Sequence, residues 1–210
     1  MFELDTAREV VVDRDLITVF VAVILGTTFQ IAGNVELFYS EFMKNAPFLE
    51  KKGIDWELLY IDDGSKDNTG AIGDRYAAQY PDIVKVIHQE NGGHGAGINA
   101  GLKAATGKYF KVVDSDDEVS ADFVQFLDRL ELCDQQGGVD LFVTNYYYVH
   151  TDGVGDRSID YSNVLPEGRI FTWGDVKRFR PHQMLTIHSS TFRTEVMRKC
   201  GGELPRKIFY

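Results

Sequence analysis

A chain of 210 residues with 44% hydrophobic and 26% charged residues is long enough to bury one sizeable core and is neither disordered nor low-complexity. Its formal net charge of −10 repels phosphate backbones and argues against nucleic-acid partners, although a divalent cation can join an acidic site to a polyphosphate. The two distant cysteines, Cys133 and Cys200, form no CxxC pair or Cys/His cluster; they read as free, buried thiols in a reducing compartment, and neither HExxH nor GxSxG occurs.

In chain order, Leu16–Ala32 is the one membrane candidate. It is barely long enough to span a bilayer, it carries Thr18, Thr27, Thr28 and Gln30, and the residues before it are acidic rather than basic. A buried strand over Ile17–Leu25 is the plainer reading. Val35–Glu50 has Leu37, Phe38, Phe42, Ala46 and Leu49 at helical spacing, with Asn34 as N-cap. Trp56–Ile61 reads as a buried strand and Asn68–Tyr80 as a helix capped by Asp67 or Asn68. Ile83–His88 follows as a strand, then a glycine-rich loop over Asn91–Gly97. A short helix over Ile98–Thr106 is stopped by Gly107, and a strand spans Lys108–Val113. Ser120 caps a helix with Phe123, Phe126, Leu127, Leu130 and Cys133 on one face. Beyond it, Val139–Val149 looks like a strand, Asp152–Pro166 a loop, Met184–Phe192 a strand and Thr194–Lys199 a short helix. The alternation predicts an α/β fold with a mostly parallel sheet flanked by helices.

In such sheets ligands bind at the carboxyl ends of the strands. Three consecutive ends carry unusual residues: Asp62-Asp63-Gly64-Ser65, then Asn91-Gly92-Gly93-His94-Gly95, then Asp114-Ser115-Asp116-Asp117. Three carboxylates within four residues repel one another unless a cation sits among them, and hard oxygen ligands suit Mg2+ or Mn2+. The bland alternative is a solvated acidic turn that caps the next helix. An EF-hand fits poorly, because Val119 and Gln125 stand where that loop needs glycine and glutamate. Asp62-Asp63 could accept hydrogen bonds from a nucleobase or ribose, or simply form an Asp-Gly turn. Glycines in Asn91–Gly101 let backbone approach a ligand. Gly95-x-Gly97-x-x-Ala100, with Asp114 about 20 residues on, also loosely fits a dinucleotide fingerprint and supports a rival reading as an oxidoreductase. His94 could touch a phosphate, His182 and His188 have no assignable partner, and Tyr146–Tyr148 read as strand packing.

Trp56–Asp67, the blocks Asn91-Gly92-Gly93, Asn99-Ala100-Gly101 and Ala105–Tyr109, and Val113–Asp117 together resemble glycosyltransferase family 2, which has the GT-A fold. Order and spacing agree over 34–130 and more loosely to Tyr210. The resemblance implies that Asp62, Asp63, Ser65, Asn91, Gly92, Asp114 and Ser115 bind a nucleotide-diphosphate sugar. It implies that Asp116 and Asp114 bind Mn2+ or Mg2+, and that the sugar passes with inversion to a glycan or lipid-linked hydroxyl. It divides the chain into a divergent N-terminal strand segment (1–33), a donor-binding α/β core (34–135) and the start of an acceptor-side region (136–210). Two departures stand out. Ile24–Phe29 lacks the family's proline and Tyr-Asn pair, which suggests divergence or a changed reading frame over residues 1–32. The family's general base usually follows a segment resembling Leu204–Tyr210, so the fold is expected to be incomplete on that side and the base to lie beyond Tyr210. Transfer by these 210 residues alone is then expected to be slow, and a catalytically inactive, donor-binding fragment is the third reading. The expected location is cytoplasmic, with any membrane association supplied by sequence beyond Tyr210.

Overall fold

The computed structural model describes residues 19–25, positions 36, 40, 43, 44, 47, 49 and 51, and residues 53–115, 117, 123–149, 157–200 and 204. The expected Asn34 and Ser120 caps, Asp116, the whole 26–35 segment and most of the expected Val35–Glu50 helix lie outside these residues.

A six-stranded sheet organises the chain. Its first strand, β1 (Val19–Leu25), lies inside the sheet and pairs in parallel with β2 (Trp56–Asp62) on one side and β4 (Tyr109–Asp114) on the other. The unbroken apolar run VFVAVIL suits a strand paired along both edges in the interior of a sheet. The stretch that read as a membrane candidate therefore contributes a sheet strand. Among the described residues, no helix is long and apolar enough to cross a membrane. All seven residues of β2 are buried. Beyond β2 comes β3 (Val84–His88), also parallel. On the far side of β4 lies β8 (Ser190–Arg193), antiparallel to both β4 and β5 (Leu141–Val143). The order is β3-β2-β1-β4-β8-β5.

Helix α1 (Thr69–Gln79) starts where the Asp67 carboxylate accepts the Thr69 N–H at 3.0 Å, so Asp67 rather than Asn68 supplies the cap. Helix α2 spans His94–Ala104, beginning earlier than the expected Ile98 and ending before Thr106. Gly95 and Gly97 read as loop but are buried on this helix together with Gly101, and their missing side chains let it lie against β1 and β2. Its end is closed by Arg198 Nη2, which donates to the carbonyls of Leu102 and Ala105 at 2.6 Å each, not by Gly107. Helix α3 (Phe123–Gln135) buries Phe123, Leu127 and Leu130, part of the stripe expected from its spacing.

The expected strand Val139–Val149 is broken in two. Thr144 N–H donates to the Ser189 carbonyl at 2.9 Å, and the Asn145 side-chain oxygen accepts the Tyr161 N–H at 3.0 Å. These bonds turn the chain from β5 into β6 (Tyr146–Tyr148), which pairs antiparallel with β7 (Arg157–Ile159) in a separate two-stranded sheet. Thus β7 lies inside the segment expected to be loop. The strand expected over Met184–Phe192 is shorter, because Thr186–Ser189 forms a turn closed by Ser189 Oγ on the Thr186 carbonyl. Helix α4 (Thr194–Lys199) falls where the sequence places it.

Side chains of α1 and α3 cover one face of the main sheet, and those of α2, with Met197 of α4, cover the other. A third cluster around Ile159, Tyr161, Val164 and Leu165 supports the small sheet. Both cysteines are free, as expected, but Cys133 is only half-buried and Cys200 is exposed.

Candidate functional site

Strand alternation sorts the first acidic pair. Asp62 lies on the α1 face with Trp56, Leu58 and Tyr60, and Asp63 points to the opposite side. Asp62 Oδ1 accepts the Ser65 N–H at 2.9 Å, and Asp62 Oδ2 faces His88 Nδ1 at 2.9 Å. The other ring nitrogen of His88 faces Asp74 Oδ1, also at 2.9 Å. Burial pushes the Asp62 carboxyl up, but hydrogen bonds from Ser65 and His88 outweigh it and hold the group below the usual carboxylate range. The same contacts, first Asp62 and then Asp74, raise the pKa of His88.

Asp63 is 1% exposed. Its Oδ1 accepts from Gln89 Nε2 at 2.6 Å and Gly92 N–H at 2.9 Å, and its Oδ2 accepts from Gly93 N–H at 2.8 Å. In this arrangement its carboxylate organises the glycine loop. The Asp63 turn and that loop also touch directly: Gly64 has φ +77, and a Cβ there would sit 2.9 Å from the Asn91 nitrogen.

The second and third strand ends are joined too. His94, the first residue of α2, places Nε2 2.7 Å from Asp114 Oδ1. Asp114 ends β4, and the Asp117 N–H returns to its carbonyl at 3.0 Å across a turn that contains Ser115. The Asp63–Gly92/Gly93 and His94–Asp114 contacts therefore connect all three strand ends singled out in the sequence.

Asp114, Asp117 and His188 each offer a ligand atom, all within 4.8 Å of one another. His188 Nδ1 lies 3.7 Å from Asp117 Oδ2. Two carboxylates and an imidazole form a mixed O/N donor set that could hold a divalent cation. His94 uses one oxygen of Asp114. Asp116, the other metal ligand expected from the resemblance, lies outside the described residues.

His188 reaches the cluster because its loop is tied to the sheet. Lys111 Nζ donates to the His188 carbonyl at 2.7 Å, from a side chain lying over Phe126. Burial pushes the Lys111 ammonium down to about 8, against the pull of Asp117. The Tyr146 ring meets the His188 ring edge-on at 4.9 Å. His88, Lys111 and His188 escaped the sequence reading. None belongs to a local motif: strand register brings His88 to Asp62, and the pairing of β4 with β8 brings the loop that carries His188 to Lys111 and Asp117.

With this geometry in place, comparison with known proteins is decisive. The model of "Glycosyl transferase family 2" matches residues 46–200. The chain belongs to glycosyltransferase family 2. Among the curated members, glycosyltransferase GlyG of Streptococcus pneumoniae is 39% identical over 99 residues, covering 46% of this chain and 32% of GlyG. Putative glycosyltransferase EpsH of Bacillus subtilis is 31% identical over 150 residues, covering 65% of this chain and 41% of EpsH. The chain thus spans about a third of GlyG and two-fifths of EpsH. Crystalline S. aureus TarS bound to UDP is 22% identical with a TM-score of 0.58, over 90% of this chain and 50% of that one. The mannosyltransferase PcManGT from Pyrobaculum calidifontis, solved with GDP-Man and Mn2+, gives 18%, 0.54, 91% and 48%. These two establish a shared GT-A fold.

The dinucleotide reading loses its footing on the same geometry. A pyrophosphate needs free amides at the glycine turn. The fingerprint's Gly95 and Gly97 instead lie on helix α2, where the Ala96 and Gly97 N–H groups are taken by the Gly93 carbonyl at 2.9 and 3.2 Å.

Proposed function

We propose that this chain carries the donor site of a metal-dependent glycosyltransferase that takes a nucleoside-diphosphate sugar. The observation that carries this reading is the Asp114–Asp117–His188 cluster at the carboxyl end of β4, beside the Asp62–Asp63 turn in a family 2 fold. Asp114 and Asp117, with Asp116 and His188, would hold Mn2+ or Mg2+. The bound ion would neutralise the diphosphate and stabilise it as a leaving group. Asp62, Ser65 and Asn91 would face the base and ribose, while Asp63 and Gly92 shape that pocket from behind. Ser115 would border the sugar.

Residues 34–135 would form the donor side and 136–210 the beginning of the acceptor side. In the reaction, an acceptor hydroxyl oxygen bonds to the anomeric carbon as the bond to the diphosphate breaks. The sugar inverts, the nucleoside diphosphate leaves, and a general base takes the hydroxyl proton. The acceptor class is a glycan or a lipid-linked hydroxyl. The similarity to GgaB of Bacillus subtilis, described as a minor teichoic acid biosynthesis protein, supports a cell-envelope polymer, at 29% identity over 76% of this chain. UDP-sugars and GDP-sugars are the donors to try first, since TarS was solved with UDP-GlcNAc and PcManGT with GDP-Man.

Calorimetric titration tests this reading. UDP or GDP should bind with Mn2+ and fail to bind in EDTA, and Asp116→Ala should abolish binding. Tight NAD binding without metal would reverse the assignment. Sugar transfer by these 210 residues would exclude an inert binding module.

A further inference from the structure

We propose that His88 is a positioning residue for nucleotide recognition: an imidazolium bridging Asp62 and Asp74 that fixes the Asp62 carboxylate toward the base. This inference rests on the donor-site reading above.

The geometry is a three-membered relay. Asp62 and His88 end adjacent parallel strands and are register partners, so both side chains emerge on the α1 face. His88 Nδ1 is 2.9 Å from Asp62 Oδ2, and its Nε2 is 2.9 Å from Asp74 Oδ1 on α1. A neutral imidazole has one N–H and one lone pair, so it can donate to only one of two carboxylates. The imidazolium donates to both. Among the described residues, Asp62 from β2 and Asp74 from α1 are the titratable groups that face the ring, and both favour its charged form. Room for the relay comes from Gly70 of α1, where a Cβ would lie 2.6 Å from Asp62 Oδ2 and 3.2 Å from His88 Cε1.

The consequence falls on Asp62. Its Oδ1 is held by Ser65 and its Oδ2 by His88, so the carboxylate cannot rotate, and the acceptor capacity left over points in one fixed direction. A fixed acceptor rewards a base N–H placed on that line and penalises one that is not. The Asp74 side chain is 63% exposed; it anchors the far side of the ring.

The sign of the pH effect follows from the raised pKa. The imidazolium persists above the ordinary histidine value of 6.5; its hold is complete below that value and is lost as pH rises through the raised one. Nucleotide affinity should fall over the same window.

The test is calorimetric titration of UDP and of GDP, each with MnCl2, from pH 6 to 9. It uses the wild type and the variants His88→Asn, His88→Ala, Asp74→Asn and Asp62→Ala. The Asn amide can donate to Asp62 in place of Nδ1 but does not titrate. His88→Asn should therefore bind within about threefold of the wild type at pH 6.5, and its affinity should not track the wild-type fall, which is expected to be about tenfold by pH 9. Ligand and metal titrations are common to both proteins and cancel in the difference. His88→Ala should bind about tenfold more weakly at pH 6.5. Asp74→Asn, a change at the exposed end of the relay, should shift the midpoint of the fall to lower pH. If His88→Asn reproduces the wild-type profile, or Asp74→Asn leaves the midpoint in place, the inference is overturned while the donor site stands. If neither UDP nor GDP binds the wild type, or Asp62→Ala binds as the wild type does, the assignment of Asp62 to the donor falls and takes this inference with it.

Discussion

From β2 to β4, polar side chains tie one loop to the next: Asp62 to His88, Asp63 to Gly92 and Gly93, His94 to Asp114. From β6 to β8 they tie a small unit to itself. Gln183 donates to the Asp160 carbonyl and the Asn163 side chain, Tyr161 Oη to the Met184 carbonyl, and Asp175 closes a box on Thr172. The first region is a set of charges fixed before any ligand arrives. The second has its own apolar cluster and lends the site one side chain, His188, through a loop that Lys111 holds. Preorganised charge is expensive to disturb because every group in it is another group's partner. A lent side chain can be removed with little damage to the fold.

That contrast can be broken from the costly end downward. Asp63→Ala should lower the free energy of unfolding by about 3 kcal/mol, since it strands two backbone N–H groups and the Gln89 amide around a site that is 1% exposed. A loss under about 1 kcal/mol in urea denaturation would mean that water replaces the carboxylate and the loop is not fixed by it. Next comes Gly73→Ala on α1, where a Cβ would lie 2.6 Å from the buried Tyr60 ring. Overpacking should cost about 2 kcal/mol, read in the same experiment.

His188→Ala should weaken Mn2+ binding about tenfold, equivalent to about 1.4 kcal/mol, while the urea midpoint stays near that of the wild type. Unchanged Mn2+ affinity would remove the C-terminal region from the metal site. The smallest effect is expected at Gly168→Ala in that region. With φ +67 and nothing within 4 Å of the added Cβ, the cost is backbone strain alone, about 1 kcal/mol by thermal melting. A larger loss there than at Gly73 would invert the comparison.

Asp62-Asp63, the glycine block and the Asp114 run were legible in the sequence because each is contiguous and sits at the end of an apolar strand. The parallel character of β1 to β4 was legible from the alternation of strands and helices, while their order in the sheet and the α2 boundary were not. Glycines signal a turn or a close-packed helix face equally well, and burial against β1 and β2 selects the second. The break between β5 and β6 falls at Thr144-Asn145, a short polar interruption between an apolar and an aromatic run that reads equally well as alternation within one strand; the partners that split it, Ser189 and Tyr161, are remote in sequence.

What the sequence determined by itself is the frame of the candidate site: strand periodicity, the three loaded strand ends, and the family they resemble. Local pattern suffices there, because alternation and turn chemistry act over a few residues. Only the tertiary structure decided what each carboxylate does. It sorted the neighbours Asp62 and Asp63 onto opposite faces, gave one to a histidine and the other to a loop, and brought His188 to Asp114 and Asp117. Those outcomes depend on hydrogen bonds and charges between residues distant in the chain, which no local pattern encodes.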